Sequence, residues 1–150
     1  MTAPTVIGSW ELGYSAPLTE SYLWAWPLRE FEVTDWRMWP ISGIRCPEQR
    51  VTLTEYPTIN DALEGVKSRI FLEPRNTSYP FPSESIWLPD FEHPEEAVYV
   101  FGSNHFNPTI ARVRPEDVVV TMPTVENSGV LWSHQVMVSV LYDRMVKSWR

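Results

Sequence analysis

Three short apolar runs constrain this chain more than anything else in it: Ile70-Phe71-Leu72, Ala97 to Phe101, and Val118-Val119-Val120. A half-buried strand alternates apolar and polar residues, because its two faces meet different surroundings. A strand apolar at every position is buried on both faces, the condition of a parallel sheet covered by helices. A fourth run, Thr5-Val6-Ile7-Gly8-Ser9-Trp10 within Pro4–Leu12, reads as a first buried strand. Helical patterns separate these runs, so the expected class is α/β.

The remaining segments fill in that frame. Ser15 or Thr19 can cap a helix carrying Leu18, Tyr22, Leu23 and Trp26 on one face. Pro27 removes a backbone donor and crowds the preceding turn, so this helix is expected to kink or end there. Residues 32–39 alternate like a strand that stops at Pro40, and 50–56 read as extended. Thr58 caps a short helix over residues 60–64, closed by Gly65 or Ser68. Residues 75–94, rich in Pro, Ser and aromatics, read as a loop. From Gly129 to Lys147 the pattern is helical and apolar over most of its circumference, which implies burial in a core or subunit interface.

A chain of 150 residues suits one domain, taken as 1–150. It contains no run of the ~18 apolar residues that a membrane helix needs, and no signal peptide is read at its start. Its one cysteine, Cys46, reads as a free structural thiol suited to a reducing cytoplasm. The net charge of −7 opposes charge-driven RNA binding by a monomer. Arg144, Lys147 and Arg150 cluster at the end of the last helix, where cations complement its dipole.

Cys46, His93, His105 and His134 lack the short spacings of zinc ligands, so no metal is expected. Gly-x-Ser-x-Gly, Gly-Lys-Ser/Thr and Gly-x-Gly-x-x-Gly motifs do not occur, which disfavours hydrolase, phosphate-loop and dinucleotide readings. His93 reads as a loop residue, and Glu20 and Asp35 as solvated carboxylates. Trp10, Trp24, Trp26, Trp36 and Trp39 read as core or interface anchors.

Five stretches carry a more specific signal. Phe101-Gly102-Ser103-Asn104-His105-Phe106 ends one apolar run, and Met122-Pro123-Thr124 ends the next. Val130-Leu131-Trp132-Ser133-His134 opens the last helix and Leu141-Tyr142-Asp143 nears its end. Upstream lies Phe31-Glu-Val-Thr-Asp-Trp-Arg-Met-Trp-Pro40. In that order they resemble the TrmH/SpoU branch of the SPOUT RNA methyltransferases. The resemblance implies an α/β trefoil knot with a mainly parallel sheet, S-adenosylmethionine as cofactor, a homodimer, and methyl transfer to the ribose 2′-hydroxyl of tRNA or rRNA. It assigns cofactor contacts to Leu72, Glu73, Phe101, Gly102, Ser103, Met122, Val130 and Leu131. Asn104, His105 and His134 then become the candidate catalytic residues.

The polar letters of that family are altered here. Its early Asn and Arg fall on Glu20 and Trp26, its turn Glu on Asn104, and its late Ser and Asn on Val130 and Trp132. A second reading follows: an altered member that binds the cofactor or a macromolecular partner without methyl transfer. A third keeps the pocket and changes the chemistry.

Overall fold

The apolar runs become parallel strands. The computed structural model describes residues 2–11, 16–74, 84–102, 114–126 and 131–150. Among them β1 (Thr5–Ser9), β2 (Asp35–Trp39), β3 (Thr52–Glu55), β4 (Arg69–Leu72), β5 (Ile86–Trp87), β6 (Val98–Phe101) and β7 (Val118–Thr121) form one sheet. The order is β3-β2-β1-β6-β4-β7-β5, and every neighbouring pair is parallel. All four residues of β4 are buried. The chain lays down β1, β2 and β3 outward on one side and then crosses to build β4 and its neighbours. β6 closes the gap between β1 and β4, so the topological switch lies at β6.

Helices cover both faces. α1 (Pro17–Glu30) and α3 (Ser133–Ser148) pack together over one face, through Trp24, Ala25, Leu28, Met137, Val140 and Leu141. α2 (Ile59–Leu63) covers the other, against Ile7, Trp39, Phe71, Val100 and Val119. Gly8 makes room for α1: a Cβ there would come within 2.5 Å of the Trp24 indole. α2 begins as expected, with the Thr58 hydroxyl accepting from the Asp61 amide at 3.2 Å.

Several expectations are corrected. α1 is capped at Ala16 with Pro17 in its first turn, and it runs through Pro27 to Glu30. Proline costs a helix one bond, and burial of Trp24, Ala25 and Leu28 on either side of it outweighs that loss. Leu18, Leu23 and Trp26 lie on the outward side, 59%, 41% and 54% exposed. The stretch 75–94 holds β5 and a one-turn helix, Leu88–Asp90, in the part that is described. α3 starts at Ser133, with Trp132 as cap, later than the expected Gly129. It is apolar-buried on one side only, since Val138 and Tyr142 are exposed.

His93 is not a plain loop residue. Its Nδ1 lies 2.6 Å from the Tyr99 hydroxyl and its Nε2 2.7 Å from Asp143. Arg144 donates to the same hydroxyl at 3.0 Å and to the carbonyls of Thr2, Pro94 and Glu95. Lys147 donates to the carbonyls of Leu88 and Phe91 and pairs with Asp143 at 2.8 Å. Two of the three C-terminal cations thus tie α3 to the segment between β5 and β6, a stronger role than dipole complement. Glu20 is likewise buried rather than solvated, and both its oxygens accept the Glu11 amide, at 2.9 and 3.0 Å.

Candidate functional site at the carboxyl edge of the sheet

In open α/β sheets the strand ends leave a crevice at the carboxyl edge, where the connections diverge at the topological switch. Here that edge can be read across five strands. Ser9 pairs with Trp39, and Ile7 with Val100, so Ser9 stands level with Gly102 two residues on. Leu72 pairs with both Phe101 and Val120, which sets Glu73 level with Gly102 and Thr121. The Glu73 amide donates to Val120 at 3.1 Å, and the Thr121 hydroxyl donates to the Glu73 carbonyl at 2.8 Å. The row therefore runs Trp39, Ser9, Gly102, Glu73, Thr121.

Strand alternation divides the expected cofactor residues between the two faces. Leu72 and Phe101 belong to the core under α1 and α3, with Met122 packed against it. Glu73 is in phase with Phe71, on the α2 face. Gly102 lies between them and accepts a hydrogen bond from the Ser133 hydroxyl, which pins the start of α3 to the end of β6. Leu131 lies just before that start and is partly exposed.

His134 follows Ser133. Its ring centroid is 6.3 Å from Trp24 and 5.7 Å from Trp132, and Trp24 in turn lies 6.1 Å from Phe101. Burial lowers the His134 pKa, so the ring is neutral at pH 7, and its buried Nε2 has no hydrogen-bond partner. Such an imidazole can accept a proton.

The structure thus brings Leu72, Phe101, Gly102, Met122, Leu131 and His134 to one edge, with Glu73 beside them on the far face. Ser103, Asn104, His105 and Val130 lie outside the described residues. Sequence reasoning passed over Ser9. It is 0% exposed, and its hydroxyl has no partner among the described residues. The available signal was a hydroxyl inside an otherwise apolar run.

Glu73 is 6% exposed, its Oε1 has no partner, and burial pushes its pKa up to about 8. It is a neutral carboxylic acid at pH 7. Among the described residues no group of three His, Cys, Asp or Glu could hold a metal ion, and no helix is long and apolar enough to cross a membrane.

No family model matches the chain, and no curated protein matches it in sequence. Solved structures do match. TrmJ from Z. mobilis ZM4 is 17% identical with a TM-score of 0.64, over 95% of this chain and 68% of that one. A TrmH-family protein from Porphyromonas gingivalis, assigned as an RNA methyltransferase, is 14% identical with a TM-score of 0.65, over 95% of this chain and 59% of that one. A probable methyltransferase from Bordetella pertussis Tohama I is 11% identical with a TM-score of 0.62, over 97% and 93%. The chain therefore shares the fold of these TrmJ and TrmH-family structures.

Proposed function

We propose that this chain is an S-adenosylmethionine-dependent RNA methyltransferase acting on the ribose 2′-hydroxyl of tRNA or rRNA, with residues 1–150 forming one SPOUT-type knotted domain. One observation carries the reading. A fold shared with methyltransferases over nearly the whole chain gathers Gly102, Leu72, Phe101, Met122, Leu131 and His134 at the carboxyl edge of a parallel sheet.

The residues present fit the cofactor. Partly buried Met122 lies at the end of β7, while Glu73 and Ser9 keep buried polar atoms unpaired beside Gly102 among the described residues. When bound, the cofactor supplies an activated methyl group on its sulfonium. His134, neutral and unpaired at its buried Nε2, is the proposed proton acceptor once the incoming hydroxyl is seated against it. Asn104 and His105 remain proposed neighbours of that hydroxyl.

The outward apolar face of α1, Leu18, Leu23 and Trp26, and the exposed Val138 and Tyr142 of α3 support a homodimer through these two helices. The lack of any membrane-spanning helix among the described residues is compatible with the expected cytoplasmic location.

A specific observation favours the second reading, binding without transfer. Glu20 is committed to the Glu11 amide and Trp26 points outward, so neither supplies the family's Asn and Arg functions. Arg29, Arg37, Arg50, Arg69 and Arg114 pair with carboxylates, which leaves less positive charge for RNA.

Calorimetry with S-adenosylmethionine and S-adenosylhomocysteine, followed by labelled methyl transfer to total tRNA and rRNA, separates the two. Heat with transfer supports the first reading, heat without transfer supports the second, and no heat with either ligand removes both cofactor readings. Gly102→Trp is expected to abolish binding and transfer, whereas His134→Ala keeps binding and loses transfer.

A further inference from the structure

Ser9 and Glu73 carry a second message. They stand on the same edge row with only Gly102 between them, and strand alternation aims both toward the α2 face. Neighbouring strands are about 4.8 Å apart, so the two Cα atoms are separated by about 10 Å, and Gly102 fills none of that span with a side chain. Both side chains are more than nine-tenths buried, and Ser9 Oγ and Glu73 Oε1 have no hydrogen-bond partner. Buried polar atoms are nearly always satisfied by protein, water or ligand. Two unpaired atoms on one face of the edge row, on either side of a glycine at the switch point of the sheet, mark a place for a ligand.

We propose that Glu73 and Ser9 form a neutral hydrogen-bonding subsite across Gly102 that receives the purine edge of the nucleoside, a proposal that rests on the cofactor reading above. A carboxylic acid donates through O–H and accepts through C=O. An adenine edge presents the converse, a ring-nitrogen acceptor beside an amino donor, so the two match at two points. Ser9 adds a hydroxyl that can donate or accept.

Charge distinguishes this from the obvious alternative, an ionised Glu73 facing the sulfonium. Burial alone raises Glu73, and the arginines on its face are engaged with other carboxylates. Arg69 is on the same strand four residues back and pairs with Asp117 at the start of β7. Arg37 of β2 binds Asp35 and the Ala62 carbonyl. Glu11, two residues beyond Ser9, is a buried acid and brings no cation to this face. Thr121, level with Glu73 on β7, bears no charge.

The test uses 5′-methylthioadenosine, which keeps the purine and has no sulfonium, amine or carboxylate. Its affinity, measured by calorimetry from about pH 6 to about pH 9, is expected to be flat at low pH. It should fall about tenfold one unit above the Glu73 pKa, as the acid ionises. Glu73→Gln, which keeps a donor and an acceptor, should bind like the wild type at low pH and lose the pH dependence. Glu73→Leu should bind poorly throughout.

Flat binding by wild type, or an unchanged slope in Glu73→Gln, overturns the subsite. So does S-adenosylmethionine binding that tightens as pH rises while methylthioadenosine stays flat, because that is the signature of a sulfonium on an ionised carboxylate. Absence of binding by methylthioadenosine, S-adenosylmethionine and S-adenosylhomocysteine at every pH overturns the cofactor reading itself, a result distinct from pH-flat binding.

Discussion

The two ends of the same sheet differ in how their buried ionisable and hydroxyl groups are held. At the amino end the charged and hydroxyl groups of Arg69, Asp117, Thr5 and Tyr99 are paired, although the Trp36 indole N–H is not. Arg69 and Asp117 bond through two nitrogen–oxygen contacts, the Thr5 hydroxyl donates to Asp35 at 3.1 Å, and Tyr99 is held between His93 and Arg144. At the carboxyl end Ser9 Oγ, Glu73 Oε1 and His134 Nε2 are buried and unpaired. An unsatisfied buried group costs stability, so a fold that closes one end and leaves the other open has kept that end for something besides stability.

The sharpest way to break the comparison is to open the closed end. Arg69→Met leaves the Asp117 carboxylate buried without its main partner, and breaking a buried pair from one side costs about 3–5 kcal/mol. Urea unfolding should show a loss of that size, and Arg69→Met with Asp117→Leu should recover most of it. Loss by the double variant as large as by the single would mean that the pair's packing, not its charge, matters. Tyr99→Phe is milder. It removes the hydroxyl that His93 and Arg144 share, and a denaturant midpoint shift worth about 1–3 kcal/mol is expected.

The ends should also respond to pH with opposite sign. Burial pushes Asp117 up, but its bonds to Arg69 and the Arg114 amide outweigh that and hold it below its ordinary 3.8. Its stabilising contribution is present above that value and is lost as the pH falls through the folded pKa. Glu73 is raised from 4.5 to about 8, so the folded state holds its proton more tightly than the unfolded state. Its contribution is complete below about pH 4.5 and is lost as the pH climbs through about 8. Unfolding free energies from pH 4 to 9 should therefore show a fall between about pH 4.5 and about 8, levelling off above it, that Glu73→Gln removes. At pH 7 Glu73→Leu is expected to raise stability by about 1 kcal/mol while weakening nucleoside binding, because an apolar replacement of a buried orphan is neutral or favourable.

The closed end was the less legible in the sequence, although it does more for the fold. Apolar runs announced β4, β6 and β7 because burial on both faces leaves a composition that no half-exposed strand has. The Thr58 cap and Gly65 were visible for the same local reason; Gly65 takes a φ of +77°. His93 was not readable, because its partners Tyr99 and Asp143 are 6 and 50 residues away. The direction of α1 was misjudged because Leu18, Leu23 and Trp26 are the more apolar set, yet Glu20 and Ser21 are the residues turned inward. Of the candidate site, the order of loops and strand ends was readable, whereas the division of Leu72 and Glu73 between faces needed the register.

The smallest effect expected is the most pointed. Ser9→Ala deletes a fully buried hydroxyl that has no partner among the described residues, so its removal forfeits no bond to them and leaves a gap of one oxygen. A hydroxyl that served the fold would cost about 1–3 kcal/mol when lost from a buried partner. Here the urea midpoint should move by less than about 0.5 kcal/mol, in either direction. Methylthioadenosine affinity should drop about threefold to tenfold, the worth of about one net hydrogen bond. A large loss of stability with unchanged affinity would return Ser9 to the fold and make the carboxyl edge as closed as the amino one.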